Sequence, residues 1–290
     1  MAKSALDPLT VHLGGGVGNQ LFTYAAGLWL ADAYSRTLKV DGSRARLETQ
    51  GSIFDLELNI SRKEFHASMR KRLLRRRFRW WSKVFRSVGA GPRGVYWAEA
   101  GFDPNLVGAL EKGAFGGFLQ THFYVGELKR TASFSRHFAS LLPKRPPDGP
   151  EVVNLHIRRG DFSSRLHRLL TVDYYREALA EVSRSSGSHR LNVNVFSDDS
   201  HAARDVLWSL RNDHQFTFRH AESANAARSA LIALAEAHWI VISNSTFSWW
   251  AAALANEQTR IIAPASLTCQ ESAAPDRYPP NWQTISASWL

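Results

Sequence analysis

The sequence predicts an α/β protein built on parallel sheets, and two observations support this prediction. Short apolar runs alternate with stretches of helical periodicity along most of the chain, an order typical of doubly wound sheets. Glycine, polar or charged residues also follow four predicted strands, at 14–20, 158–161, 197–199 and 243–248. Because ligands of such sheets bind outside the carboxyl ends of the strands, these four stretches form the candidate site.

The first elements form a strand–glycine turn–helix–strand unit. An apolar run at 10–13 ends in three glycines, a helical pattern covers 19–34, and a second apolar run lies at 37–40. The glycine-rich turn is similar to a dinucleotide-binding fingerprint, but Gly-x-Gly-x-x-Gly fails in every register. A dinucleotide oxidoreductase is therefore disfavoured, although the glycines still let a ligand approach the backbone closely.

A proline-rich stretch at 142–150 predicts a domain boundary. It holds four prolines in nine residues, which can continue neither a helix nor a central strand. We therefore expect an amino-terminal domain at 1–142 and a carboxyl-terminal domain at 151–290.

The alternation is clearer in the second domain, and it predicts a mostly parallel sheet. The predicted strands are 152–157, 191–196, 216–218, 239–242 and 260–263, and the predicted helices are 173–183, 204–210, 226–237 and 247–254.

Composition limits the partners and the compartment. The formal net charge of +10 favours an anionic partner, which can be nucleic acid, anionic lipid or a phosphorylated substrate. The single cysteine, Cys269, excludes an internal disulfide and favours a reducing cytoplasm. Residues 1–10 show no secretory signal pattern, and no apolar run approaches the roughly 20 residues that span a bilayer. We expect a cytoplasmic protein, soluble or peripheral at the inner membrane face.

Residues 70–86 have the pattern of a basic amphipathic helix. Four apolar side chains and five basic ones recur at helical spacing on opposite faces. Three interpretations remain open, and one of them is that the helix contacts an acceptor that carries a lipid pyrophosphate. The helix could lie on an anionic membrane surface, or it could pack on its own domain with a solvated basic face.

The stretch from His156 to Asp161 follows a predicted buried strand. It delivers two adjacent arginines, a glycine and a carboxylate, and an arginine at a strand end suits bidentate phosphate binding. Because neighbouring side chains of a strand point to opposite faces, only one of Arg158 and Arg159 can easily reach a given ligand. A structural ion pair between Arg159 and Asp161 is the alternative interpretation.

Two further stretches carry polar groups at strand ends. Residues 243–250 place small hydroxyl side chains at a helix start, where unpaired N–H groups and the helix dipole favour an anion; ordinary capping by Ser245 or Thr246 uses the same groups. Asp198 and Asp199 are adjacent acids with no third acid nearby, which favours hydrogen bonding to a nucleotide over metal binding. A helix cap is the alternative there.

Together these motifs resemble those of the family 11 inverting α-1,2-fucosyltransferases, which use GDP-fucose. The matching stretches are the glycine-rich start at 15–25, His-x-Arg-Arg-Gly-Asp at 156–161, Tyr-Tyr-x-x-Ala at 174–178, Phe-Ser-Asp-Asp at 196–199, Asn-Ser-Thr-Phe-Ser-Trp-Trp-x-Ala at 244–252 and Tyr-Pro-x-x-Trp at 278–282. Residues 45–140 carry no motif of the family.

The resemblance implies a GT-B-like fold, in which two Rossmann-like domains with parallel sheets face each other across a cleft. The amino-terminal domain would be the acceptor side and contribute the glycine-rich loop, and the carboxyl-terminal domain would bind the nucleotide sugar. L-fucose would pass from GDP-fucose to the 2-hydroxyl of a β-galactoside in an oligosaccharide or lipid-linked bacterial surface glycan. No metal, no further cofactor and no nucleic-acid partner are expected.

The resemblance also implies residue roles. Arg158 or Arg159 would hold the diphosphate, and Asp161 is the candidate catalytic base. The implied donor-binding residues are His156, Arg158, Arg159, Asp198, Asp199, Asn244, Ser245 and Thr246, together with Gly16, Gly18, Asn19 and Gln20 of the glycine-rich loop. Another GDP-sugar donor, or a basic nucleic-acid-binding protein, is the alternative function.

Overall fold

The computed structural model describes residues 7–45, 52–61, 63, 67, 70, 94–98, 101–143, 151–160, 169–219, 226–267 and 276–290. The chain divides into two units, Met1–Ser140 and Leu141–Leu290, which we call the amino-terminal and carboxyl-terminal units. Each has a parallel sheet with helices, so the predicted α/β class is confirmed. Most of the proline-rich stretch, residues 144–150, lies outside the described residues.

The amino-terminal unit contains a four-stranded sheet in the order β2-β1-β4-β3, and every pairing is parallel. Its strands are β1 (Leu9–Gly15), β2 (Leu38–Ala45), β3 (Tyr96–Trp97) and β4 (Ala114–Gly116). Its described helices are α1 (Val17–Ala33), α2 (Ala109–Lys112), α3 (His122–Lys129) and α4 (Ala132–Phe138), with 3₁₀ turns at Ile53–Leu56, Leu106–Gly108 and Ala139–Leu141.

Helix α1 lies unusually close to the sheet of this unit. A Cβ atom at Gly27 would stand 2.4 Å from Cγ1 of Val11, on β1. The glycine therefore permits a close approach that any side chain would prevent. This packing holds the second half of α1 against β1.

The carboxyl-terminal unit contains a six-stranded sheet in the order β10-β9-β8-β5-β6-β7, again with parallel pairings. Its strands are β5 (Val153–Ile157), β6 (Asn192–Ser197), β7 (Gln215–Arg219), β8 (Trp239–Val241), β9 (Arg260–Pro264) and β10 (Gln283–Ile285). Its described helices are α5 (Val172–Ser186), α6 (Ser200–Leu207), α7 (Ala226–Ala235) and α8 (Thr246–Leu254), with a 3₁₀ turn at Trp208–Leu210.

The central strand β5 is buried at every position. Its apolar side chains pack in one core with the inner face of α5, which presents Tyr174, Tyr175, Ala178, Leu179 and Val182. This spacing is that of an amphipathic helix laid on a sheet. The polar strand residue Asn154 is buried too, and its Nδ2 donates to carbonyls at the end of α7, including that of Ala233 at 2.9 Å.

The predicted elements of this unit are present, with two differences. Helix α6 begins at Ser200 rather than at residue 204, because Asp199 caps it there. Strand β10 was not predicted, since its three residues are too short to show alternation. No helix within the described ranges has both the length and the apolarity to cross a bilayer. Of the predicted basic helix at 70–86, residues 71–86 lie outside those ranges.

Candidate functional site

Three of the four predicted strand-end stretches meet in the carboxyl-terminal unit. Strand β5 lies between β8 and β6 in the sheet, and all three strands run in the same direction. Residues 158–160, 198–199 and 242–246 therefore leave neighbouring strands at one edge of the sheet. This is the edge at which doubly wound sheets bind ligands.

The Asp198 carboxylate organises the turn after β5. Its Oδ1 accepts the backbone N–H of Arg159 at 2.8 Å, and its Oδ2 accepts that of Gly160 at 3.0 Å. The same Oδ2 lies 3.0 Å from Nε of Arg158. Because the Asp198 carboxylate is charged, its hydrogen bonds to the two N–H groups and to the guanidinium are stronger than bonds between neutral groups. Asp198 therefore stabilises the turn of residues 158–160.

Gly160 is required by this arrangement. A Cβ atom there would stand 2.6 Å from Asp198 Oδ2, closer than real contacts allow. Any side chain would therefore displace either the carboxylate or the turn.

The two adjacent arginines have different surroundings. The Arg158 side chain is 21% exposed, and its Nε contacts Asp198. Arg159 is only 8% exposed, and its Nη2 donates to the carbonyl of Leu170 at 2.6 Å. Of the two, Arg158 is the one whose side chain reaches the surface.

The adjacent acids also differ in their contacts. Asp198 holds the turn after β5, whereas Asp199 caps α6, where its Oδ1 accepts the N–H of Ala202 at 3.0 Å. A carboxylate at this position also interacts favourably with the helix dipole.

His156 is buried under the same edge. Its Nδ1 lies 2.7 Å from Oγ of Ser243, and its ring faces Phe247 with centroids 5.9 Å apart. Burial lowers the pKa of His156 to about 4, although nearby Asp198 raises it. The imidazole is therefore neutral at physiological pH and links β5 to the turn after β8.

That turn leads directly into helix α8. Ser245 caps the helix, with its Oγ accepting the N–H of Phe247 at 3.3 Å, and Thr246 is its first residue. Asn244 is buried and donates from Nδ2 to the carbonyl of Leu267 at 3.1 Å. Capping and anion binding both use the amino end of a helix, so this turn has the geometry of an anion site.

The glycine-rich loop lies in the amino-terminal unit, between β1 and α1. Gly15 has a positive φ of 66°, and Gly16 precedes the helix in an extended conformation. Gln20 is fully buried: its Nε2 donates to Gly15 and its Oε1 accepts the N–H of Ile53. Asn19 accepts from Nε2 of Gln120 at 2.8 Å. Gly18 is buried within the first turn of α1.

The candidate base Asp161 lies outside the described residues. Within the part of the chain that is described, no three His, Cys, Asp or Glu side chains gather in a way that could hold a metal ion.

Two contacts of this edge were not foreseen in the sequence. The Tyr174 hydroxyl donates to the carbonyl of Ile242 at 2.6 Å, and burial raises the pKa of that hydroxyl well above its usual range. Ser243 bonds His156. The sequence motifs that contain Tyr174 and Ser243 indicated that these segments belong to the site. A sequence pattern does not reveal which carbonyl or which ring a side chain contacts.

The protein has two α/β units with parallel sheets, and the carboxyl-terminal unit has an arginine turn and a capped helix at the carboxyl edge of its sheet. This is the architecture of the GT-B-like class of glycosyltransferases. The chain belongs to glycosyl transferase family 11, whose family model matches residues 140–286. The protein is therefore a glycosyltransferase.

Two relatives from Escherichia coli share sequence with this chain. An α-1,2-colitosyltransferase is 26% identical over 298 residues, which covers 96% of this chain and 98% of the relative. The O-antigen biosynthesis glycosyltransferase WbnK is 28% identical over 120 residues, which covers 40% of this chain and 38% of the relative.

The fold is shared with a solved structure of low sequence similarity. A mutant of Arabidopsis thaliana FUT1 in complex with GDP superposes with a TM-score of 0.51 at 12% identity. The similarity covers 98% of this chain and 77% of that protein.

Proposed function

We propose that the protein transfers L-fucose from GDP-fucose to the 2-hydroxyl of a β-galactoside in a bacterial surface glycan. The observation that carries this proposal is the edge of the carboxyl-terminal sheet, where the Arg158 turn, Asp198 and the start of α8 follow three neighbouring strands. The name of one relative, an O-antigen biosynthesis glycosyltransferase, supports a surface glycan as acceptor.

In this proposal Arg158 binds the diphosphate. Its guanidinium is partly exposed and is oriented by Asp198 at 3.0 Å, so little rotamer freedom is lost when an anion binds. The amino end of α8, with Ser245 and Thr246, supplies a second positive field. Together they stabilise the charge that develops on departing GDP, and no metal ion is needed for this.

The buried polar residues position these groups. Arg159 holds the carbonyl of Leu170, and His156 and Asn244 tie the turn before α8 to the sheet and to Leu267. Asp198 and Asp199 lie beside the expected nucleotide, and we assign the guanine or ribose contacts to this pair.

The amino-terminal unit contributes its glycine-rich loop. Gly16, Gly18 and Asn19 offer backbone and amide groups at the start of α1, while buried Gln20 braces the loop against Gly15 and Ile53.

Inversion requires the acceptor hydroxyl to attack the face of the sugar opposite to the diphosphate. An oxocarbenium-like transition state reduces the demand for a strong base. We assign the role of base to Asp161, next to the Arg158–Gly160 turn in sequence. Its Asn variant should keep GDP affinity while losing transfer.

A second donor is favoured by one observation. The relative that covers 96% of this chain is a colitosyltransferase, and colitose is L-fucose without its 3-hydroxyl. A donor pocket for one sugar differs from a pocket for the other by the hydrogen bonds that this hydroxyl makes. GDP-colitose is therefore the alternative donor.

A donor panel tests function and metal dependence together. Purified protein is incubated with GDP-fucose, GDP-colitose, GDP-mannose or UDP-galactose and a β-galactoside, each with and without EDTA. We expect transfer from GDP-fucose, equal rates in chelator, and a preference over GDP-colitose of about tenfold or more. A hydrogen bond contributes about 0.5–1.5 kcal/mol, and a buried group left without its partner costs more.

Other results would contradict specific parts of the proposal. Higher activity with GDP-colitose than with GDP-fucose would identify GDP-colitose as the donor. Loss of activity in EDTA would contradict a metal-independent mechanism. Transfer from UDP-galactose alone would reject the assignment of a guanine nucleotide. Methylation analysis of the product would test the 2-hydroxyl linkage.

We further propose that the protein is cytoplasmic and peripheral at the inner membrane face, through the basic pattern at 70–86. Sedimentation with vesicles containing about 30% anionic lipid should retain it, and neutral vesicles should not. Replacing Arg72, Arg76 and Arg79, three residues of the basic face, by Gln should abolish retention. Equal sedimentation with both vesicle types would reject the membrane role.

A further inference from the structure

Exposed large apolar side chains are concentrated in one part of the amino-terminal unit. Among the described residues eight such side chains are more than about 40% exposed, and five of them lie between residues 97 and 123. The five are Trp97, Phe102, Val107, Phe118 and Phe123. Closeness in sequence alone does not make a surface, and a binding surface requires that such side chains also meet in the fold.

Two of these side chains lie at the carboxyl edge of the amino-terminal sheet. Trp97 ends β3 and is 42% exposed, and Phe118 follows β4 and is 46% exposed. β3 and β4 are neighbours, with Trp97 opposite Gly116. A Cβ atom at Gly116 would stand 2.6 Å from the indole, so the glycine makes room for the ring.

The loop that carries Phe118 is fixed to the glycine-rich loop region at the same edge. The carbonyl of Gly117 accepts a hydrogen bond from Oγ1 of Thr23 at 2.8 Å, and Gln120 donates to Asn19 at 2.8 Å. The backbone at Gly117 and Leu119 has positive φ values of 147° and 44°. A non-glycine residue in this region, such as Leu119, is strained and persists only where the surroundings hold it.

We propose that Trp97 and Phe118 form the platform that binds the acceptor sugar, with a β-galactosyl residue stacked on the indole and the Asn19–Gln120 amide pair bonding its hydroxyls. This rests on the proposed function, since a glycosyltransferase acting on a β-galactoside needs such a subsite. The edge combines exposed rings with a few fixed polar groups, the composition of a small-molecule site.

Galactose suits this platform for a stereochemical reason. Its axial 4-hydroxyl leaves one ring face with the hydrogens of carbons 3, 4 and 5 together, an apolar patch of slight positive charge. The face of an aromatic ring is slightly negative and apolar, so the two surfaces are complementary. The equatorial 4-hydroxyl of glucose does not create the same patch.

Saturation-transfer NMR with methyl β-D-galactopyranoside tests the platform without any donor. We expect the strongest transfer to the hydrogens of carbons 3, 4 and 5, and loss of that signal in Trp97→Ala and Phe118→Ala. Trp97→Phe should retain part of it. Methyl β-D-glucopyranoside is the control ligand.

Trp208→Ala is the matched control variant. Trp208 is 65% exposed, it contacts Arg211, and it follows α6, which runs away from the carboxyl edge of the other sheet. This variant should leave the galactoside signal unchanged. Thermal unfolding should show that all variants fold.

Kinetics separate this proposal from the proposed function. Trp97→Ala should raise the acceptor KM about tenfold, while hydrolysis of the donor in the absence of acceptor stays within about twofold. Transfer with unchanged acceptor KM in both Ala variants would overturn the platform and leave the function standing. A galactoside signal that depends on Trp97, in a protein that transfers no fucose, would support the platform and overturn the proposed function. A wild-type protein that gives no galactoside signal overturns the platform.

Discussion

Arg158 and Arg159 are neighbours in sequence but have different surroundings. Arg158 is partly exposed and paired with Asp198, whereas Arg159 is buried and bonded to the carbonyl of Leu170. Alternation along a strand predicted that only one of them could face a ligand. It could not predict which, because that depends on what packs on each side of the strand.

We expect Arg158→Ala and Arg159→Ala to fail in different ways. Arg158→Ala should lose more than about a hundredfold in kcat, the usual cost of removing a group that stabilises a developing charge, and should unfold near the wild-type temperature. Arg159→Ala should lower the free energy of unfolding by about 1–3 kcal/mol, because a buried carbonyl loses its partner. Kinetics and thermal unfolding on the same samples measure both.

Arg184→Ala is the control for these two variants. Its side chain is 70% exposed and pairs with Glu181 on α5, so neither activity nor stability should change appreciably. Equal and mild effects of the Arg158 and Arg159 substitutions would reject the division of roles.

Asp198 and Asp199 also show that a local sequence pattern does not reveal tertiary contacts. The sequence predicted a ligand role for Asp198 and Asp199, with helix capping as the alternative. The structure shows Asp199 capping α6 and Asp198 holding the turn of residues 158–160. The second contact joins strands separated by about forty positions in the chain, so local pattern could not reveal it.

At the scale of elements, helix α8 combines a structural role with the proposed anion site. Ser245 caps it in the carboxyl-terminal unit, and Thr121 caps α3 in the amino-terminal unit through the same type of contact, with the N–H of Phe123. The two residues are therefore a matched pair.

Replacing each capping residue by Ala separates capping from ligand binding. Ser245→Ala and Thr121→Ala should each lower the free energy of unfolding by about 1 kcal/mol. Only Ser245→Ala should also weaken GDP binding, by about 2–5-fold, because a hydroxyl at the proposed anion site is lost. Isothermal titration with GDP and urea unfolding supply the two readouts. An equal loss of GDP affinity in both variants would contradict the assignment.

Most helices and strands were predictable because their apolar periodicity is strong. α5 shows a clear buried face, and the three apolar residues of β5 alternate with Asn154 and His156. The start of α6 was misplaced by four residues because its cap, not its periodicity, sets it. β10 was missed because it is short and two of its residues are exposed.

At the scale of the whole molecule, alternation of strands and helices predicted parallel sheets, and the structure confirms them. The order of the strands in the sheet could not be predicted in this way. β5 pairs with both β6 and β8, although β8 is the third strand after β5 in the chain. The meeting of three predicted stretches depends on this order. Sequence periodicity carries no information about strand order. The resemblance to a family provides that information indirectly, through the fold that the family shares.

The stability of the fold should depend on pH through His156. Burial lowers its folded-state pKa from 6.5 to about 4. Above pH 6.5 the imidazole is neutral in both states. Between pH 6.5 and 4 the unfolded chain takes up a proton that the folded chain does not, so the free energy of unfolding falls as the pH is lowered, by about 3 kcal/mol in total.

Urea unfolding at pH 7.5, 6 and 5 measures this dependence. His156→Gln, which can keep a hydrogen bond to Ser243, should flatten the curve across that range. His201→Gln, at an exposed position, should leave the slope unchanged. If the free energy of unfolding of His156→Gln falls with pH as steeply as that of the wild type, another group causes the acid sensitivity. His137 and His214 are candidates, because burial also lowers their pKa values.

The bond from Arg159 to Leu170 joins the two ends of the stretch 161–168. A second tie lies beyond it, where Leu170 bridges Trp289 and Thr171 donates to the carbonyl of Ser288. These ties hold the residues before α5 against both the end of β5 and residues 288–289, so a change at Leu170 should be felt at the Arg158 turn.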